Sequence, residues 1–236
     1  MKNIYLLIIL LFVIITSFAQ VPTVQDCMGA IPLCFDTYST ATSYSGTGNY
    51  PSEINVYGTP YSDNNCPNNC LLAGELNDVW YTFTVQTSGT VAFTISPVNT
   101  SDDYDWAVYN LTNANCSDIL TDVSLQTSCN FCGIANQTGP NGAGSTNCQY
   151  GDPNYCSPFN AAISVTAGEI YVVNVSNFSS TQSGYSITFG GTAQIVYNTG
   201  PSLASILDSP ACGQNVITVE FDENVTCASV GLGILQ

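Results

Sequence analysis

From Asp78 onward the chain alternates. Val79, Tyr81, Phe83 and Val85 interleave with Trp80, Thr82 and Thr84. A period of two over this length marks a strand with a buried face, because successive side chains point to opposite sides of a pleated sheet. Ser88-Gly89 supplies a turn and Thr90 to Ile95 resumes the period, so residues 79–95 predict a hairpin-like antiparallel unit. A third strand is predicted over Tyr104–Leu111, with Trp106, Val108 and Tyr109 as the side chains to bury. Alternation returns at Ala162–Val165, Ile170–Val175 and Tyr185–Phe189, which predict the closing strands. No later stretch carries apolar residues at helical spacing, so the fold class expected is all-β, an antiparallel β-sandwich with little helix.

The segments outside these strands set the domain plan. Lys2-Asn3, the apolar run Ile4–Ile15 and the small residues of Ser17-Phe18-Ala19 read as an export signal over residues 1–19, with the mature chain starting near Gln20. From Asp26 to Ala73 the chain is rich in Gly, Pro, Asn, Ser and Tyr without a period, which predicts one N-terminal strand and long loops. Asn115 to Pro158 is a second irregular stretch with a Gly-rich tip at Gly139–Gly144. After Gly190-Gly191 a new pattern begins, with Ser202–Ile206 and Val216–Phe221 as strands. The expected plan is thus a sandwich over residues 20–192 and the opening of a second domain over 193–236. That remainder is too short to close an immunoglobulin-sized sandwich of roughly 100 residues, so the chain reads as part of a larger protein.

Charge narrows the partners. The chain has 17 acidic residues, one basic residue and no histidine, and the one cation, Lys2, belongs to the signal. A mature surface without Lys or Arg cannot neutralise phosphates, which argues against nucleic acid and anionic lipid, and no later apolar stretch has the length of a membrane span. Counter-charge has to come from divalent ions or screening salt. Eleven cysteines in an exported chain argue for several disulfides. Eleven less Cys212 and Cys227 leaves nine for the first domain, an odd number: Cys27, Cys34, Cys66, Cys70, Cys116, Cys129, Cys132, Cys148 and Cys156.

Three segments carry a resemblance: Gly74-Glu75-Leu76-Asn77-Asp78-Val79-Trp80-Tyr81-Thr82-Phe83, Ser88-Gly89-Thr90-Val91-Ala92-Phe93-Thr94-Ile95 and Asp102-Asp103-Tyr104-Asp105-Trp106-Ala107-Val108-Tyr109. Together they resemble the N-terminal modules of large Bacteroidetes surface proteins, which often carry a gliding-motility-type sorting domain and leave by type IX secretion. The strand order is also similar to the bacterial pre-peptidase C-terminal domain and, more distantly, to the CUB sandwich, which implies a jelly-roll-like arrangement. Pro210-Ala211-Cys212-Gly213 and Val219-Glu220-Phe221-Asp222-Glu223-Asn224-Val225 resemble the start of a bacterial Ig-like repeat.

Five carboxylates form the densest candidate site: Glu75 and Asp78 before one strand, Asp102, Asp103 and Asp105 at the start of another. Calcium takes several hard oxygens at short range, and the resemblance implies calcium near such positions. Against this stands the reading of a solvated acidic loop. Cys129-x-x-Cys132 with Cys66-x3-Cys70 has the spacing of a four-thiolate zinc site, but export favours oxidation to disulfides. Tyr38, Tyr44, Tyr50, Tyr57 and Tyr61 either stack on sugar rings or pack beneath loops. The mature chain has no His, Lys or Arg to serve as the base or cationic stabiliser of a triad, and the scattered acids suggest no glycosidase cleft. The expectation is a non-catalytic structural or adhesive module, secreted or on the outer cell surface, carrying Ig-like repeats downstream. A carbohydrate-binding module, or a targeting module of a secreted hydrolase, is the alternative.

Overall fold

The computed structural model describes residues 20–33, 36–55, 71, 73–181 and 183–196, together with the backbone of 203–206 and 219–221. The proposed signal at 1–19 lies outside the described residues. Strands are numbered in chain order. Seven form one sheet, in the order β1 (Ile31–Pro32), β3 (Val79–Thr87), β9 (Ile170–Asn177), β5 (Tyr104–Asn110), β6 (Gln126–Cys132) and β7 (Cys148–Gly151), with β11 (Gln194–Val196) also on β3. Four form the other: β2 (Thr37–Thr40), β10 (Tyr185–Gly191), β4 (Gly89–Pro97) and β8 (Ile163–Val165). A separate antiparallel pair joins β12 (Leu203–Ile206) to β13 (Val219–Phe221).

The all-β class is as expected, and two details differ. The larger sheet is mixed, since β1 runs parallel to β3 and β6 parallel to β7. Residues 79–95 are not a hairpin: β3 and β4 lie in different sheets, and the chain crosses between the two at Ser88. Alternation marks which face of a strand is buried, and two strands with buried faces can pack face to face as readily as pair edge to edge. The larger sheet also takes in chain past residue 192, where Gln194–Val196 pairs with Thr84–Thr87 of β3.

The core lies between the sheets. Val79, Tyr81, Phe83, Val85, Trp106, Val108, Val173 and Val175 of the larger sheet are buried with Val91, Phe93, Ile95, Ile187 and Phe189 of the smaller. Phe93 meets Trp106 edge-on at 5.1 Å between ring centroids and Phe189 at 5.4 Å, while Phe83 stacks on Tyr171 at 5.4 Å. Such pairs add about 0.5–1.5 kcal/mol each beyond the area they bury.

The irregular stretch from Asn115 to Pro158 contains two unexpected strands, β6 and β7. β6 escaped detection because its inward positions are Ser128 and Asn130, buried but polar. Asn160 satisfies them: its amide donates to Ser128 Oγ (3.2 Å) and to the Cys129 carbonyl (2.8 Å), and its Oδ1 accepts from Asn130 Nδ2 (2.8 Å). Thr138 ties the same stretch to both sheets, its carbonyl accepting from Ile95 N of β4 (2.8 Å) and its Oγ1 from Trp106 Nε1 of β5 (2.9 Å). Gly139 is required there. A Cβ at this position would lie 2.2 Å from the Phe93 carbonyl oxygen.

Candidate functional site

The outer face of the larger sheet is covered by loops. Trp80, Ala107, Tyr109, Val172 and Cys129 are buried there with Cys27, Ile54 and Leu71 from the N-terminal region and Ile119 from the β5–β6 connection. Trp80 N also donates to the Val24 carbonyl (2.9 Å), so the N-terminal segment runs along the start of β3. By strand alternation Asp78 shares this face with Trp80, and Asp105 shares it with Ala107 and Tyr109.

Glu75 and Asp78 meet Glu53, a residue the sequence reading did not single out. Asp78 is fully buried and its Oδ2 accepts from Asn174 Nδ2 (2.6 Å), whose Oδ1 in turn accepts from Ser176 Oγ (2.8 Å). Glu75 Oε2 accepts from the backbone N–H of Glu53 (2.8 Å), Glu53 Oε2 accepts from that of Cys27 (2.8 Å), and the two glutamate side chains are hydrogen-bonded to each other. Burial, reinforced by the charges of Asp78 and Glu53, pushes the Glu75 carboxyl up to about 8. Burial pushes Asp78 up to about 7 against the stabilising hydrogen bond from Asn174, and it raises Glu53 as well. Asp26 goes the other way. Burial disfavours its charge, but the N–H and hydroxyl of Thr23 and the backbone N–H of Tyr50 and Asn49 outweigh that and hold it below the usual range. Its closest contacts are 2.5 Å from Thr23 N and 2.6 Å from Tyr50 N.

Asp102, Asp103 and Asp105 do other work. Asp102 is buried and closes three loops, accepting from Asn99 Nδ2 (3.0 Å) and Thr181 Oγ1 (2.5 Å), while its carbonyl accepts from Asn136 N (3.0 Å). Burial raises Asp103 to about 6. Asp105 is raised well above the ordinary value by burial first and then by the charge of Asp103. Among the described residues no three His, Cys, Asp or Glu side chains converge closely enough to hold a metal ion.

A depression of about 380 Å³ beside β11 has Asp36, Gln86, Phe189 and Gln194 among its lining residues. It gathers a single carboxylate.

The cysteines serve as staples. Cys27 bonds Cys116, and Cys132 bonds Cys156 rather than joining Cys129 in a Cys-x-x-Cys pair. Cys129 and Cys148 are disulfide-bonded as well, their sulfurs 3.3 Å apart across the β6–β7 pair, too far to be bonded to each other. Cys34, Cys66, Cys70, Cys212 and Cys227 lie outside the described residues, as do Tyr57 and Tyr61. Of the remaining tyrosines, Tyr38 packs edge-on against Tyr81 at 5.7 Å and donates to the Pro32 carbonyl, and Tyr50 donates to the Gln20 carbonyl. Tyr44 is 40% exposed.

No protein family, curated protein or solved structure matches the chain. Among the described residues no helix is long and apolar enough to cross a membrane. The described residues form two packed sheets with loops stapled by disulfides and several carboxyls buried between loop and sheet.

Proposed function

We propose that this chain is a non-catalytic structural or adhesive module, exported and displayed on the outer cell surface, that holds further β-domains away from the cell. The observation that carries this reading is the stapling of both long loop regions. Cys27–Cys116, 89 residues apart, ties the N-terminal region to the β5–β6 connection, and Cys132–Cys156, 24 apart, fastens the loop after β7 to β6. Disulfides suit an oxidising compartment, and a cross-linked sandwich transmits load without unravelling its loops. A surface free of cations fits contact with neutral or cationic material, with salt or divalent ions as counter-charge. The test is an antibody against the mature chain applied to intact producing cells. It should stain them without permeabilisation, and staining only after lysis defeats the proposal.

The reading of a carbohydrate-binding module draws on one observation. Tyr155 is 90% exposed and sits next to Cys156 of a disulfide, so an aromatic ring is presented to solvent on a braced loop. A glycan array probed with wild-type and Tyr155→Ala protein tests it. A hit abolished by the substitution favours glycan binding, and an array blank for folded protein removes it.

A further inference from the structure

The segment from Ser43 to Asn55 is held at its start by Ser43 Oγ, which lies 2.8 Å from the Tyr104 hydroxyl and accepts from Asn177 Nδ2 (2.9 Å). Gly46 then exchanges hydrogen bonds with Asn77, Tyr50 N donates to Asp26 (2.6 Å), and two carboxyl groups hold the end. Cys27 N donates to Glu53 Oε2, Glu53 N donates to Glu75 Oε2, and the direct contact between the two carboxyls is a hydrogen bond only while a proton lies between them. Ile54, beside Glu53, is 2% exposed and belongs to the same buried cluster as Trp80 and Tyr109. Next to this pair, Glu75 Oε1 and Asp78 Oδ1 are buried with no hydrogen-bond partner among the described residues.

The titratable groups that face the pair are Asp26 and Asp78, from the N-terminal segment and the start of β3, and the Tyr109 hydroxyl from β5. None of them can be positive, and β9 contributes only the neutral Asn174 and Ser176. Losing the shared proton therefore removes the donor and leaves two adjacent anions with no cation to offset either. At low local dielectric that repulsion is strong.

We propose that Glu53 and Glu75 form a proton-held latch, which fastens residues 51–55 over the outer face of the sheet and releases them at alkaline pH, uncovering the surface around Trp80. The raised carboxyls of Glu75 and Asp78 place the change above neutrality. The Cys27–Cys116 bond keeps the preceding turn attached, so release is local.

Hydrogen exchange on the mature protein, corrected for the intrinsic rate at each pH, tests this. Peptides covering residues 51–55 should lose about tenfold or more of their protection between pH 5 and pH 9, since each unit of pH beyond a group's pKa changes its protonated fraction tenfold. Peptides from β3 and β9 should keep theirs. Glu75→Gln preserves an acceptor for Glu53 N and a donor to the Glu53 carboxylate at every pH, so it should abolish the loss. Glu53→Gln removes the other charge and should do the same. Asp103→Asn should leave the wild-type response intact. Constant protection in the wild type, equal loss in β3 and β9, or an undiminished loss in both glutamine variants overturns the latch.

Discussion

Asn160 shows how a single polar side chain can hold a loop inside a hydrophobic fold. Its amide is fully buried and spends both its donor and its acceptor on β6, while its backbone N–H donates to the Gly139 carbonyl (3.0 Å). Asn160→Ala removes three buried side-chain hydrogen bonds, leaving the Ser128 hydroxyl with its bond to the Asn147 carbonyl (2.9 Å) and the Asn130 amide with its bond to the Ser157 carbonyl (3.0 Å). The expected loss is about 1–3 kcal/mol, read as a lower urea midpoint with an unchanged slope. An unaltered midpoint would mean that the loop is held by other contacts. The same reasoning explains why residue types misled at this position. Asn, Ser and Gly in sequence suggest solvent, yet here each polar atom finds a protein partner.

Individual strands were legible where their buried face is apolar. Val79 to Val85, Trp106 to Val108 and Ile170 to Val175 carry that signal, and all form strands. Pairing was not legible, because period two reports a face and not a neighbour: the Ser88-Gly89 corner serves a hairpin or a crossing between sheets equally well. Half of the carboxyl cluster could be found the same way. Glu75 and Asp78 stand next to a strong strand, whereas Glu53 lies 22 residues from Glu75 within a turn-rich stretch that no periodicity connects to it. The staples differ in the length of chain they close, and so should their contributions. On chain entropy alone, Cys27–Cys116 is expected to contribute about 4–5 kcal/mol and Cys132–Cys156 about 3 kcal/mol. Paired serine substitutions at each bridge, compared by denaturant unfolding, check the ranking. A larger loss at the shorter loop would place the stabilisation in native contacts instead.

For the molecule as a whole, buried carboxyls reverse the usual dependence of stability on pH. Glu75, Asp78 and Asp103 rise to about 8, 7 and 6 from ordinary values of 4.5, 3.8 and 3.8, and Asp105 rises too. A carboxyl raised in the folded state binds its proton more tightly there than in the unfolded chain. Its contribution is full below about pH 4 and is lost as pH climbs through 6 to 8. Asp26, held below its ordinary value, contributes in the opposite sense and is lost only in acid. The melting temperature is therefore expected to be higher at pH 5 than at pH 8, and added salt should narrow the gap by screening the charges exposed on the surface. A melting temperature that rises from pH 5 to pH 8 at low salt would contradict the protonated assignment.

The crossing at Ser88 also governs how the chain can find this shape. Because β3 and β4 share no ladder, β3 has to wait for β9 and β4 for β10, strands synthesised some ninety residues later. Closing such loops costs entropy before any contact rewards it, so refolding of the oxidised protein should take milliseconds to seconds, resolvable by stopped-flow tryptophan fluorescence. Until the last strands arrive, the aromatic faces around Phe83 and Phe93 have no partner sheet, and the unfinished chain is at its most adhesive toward copies of itself.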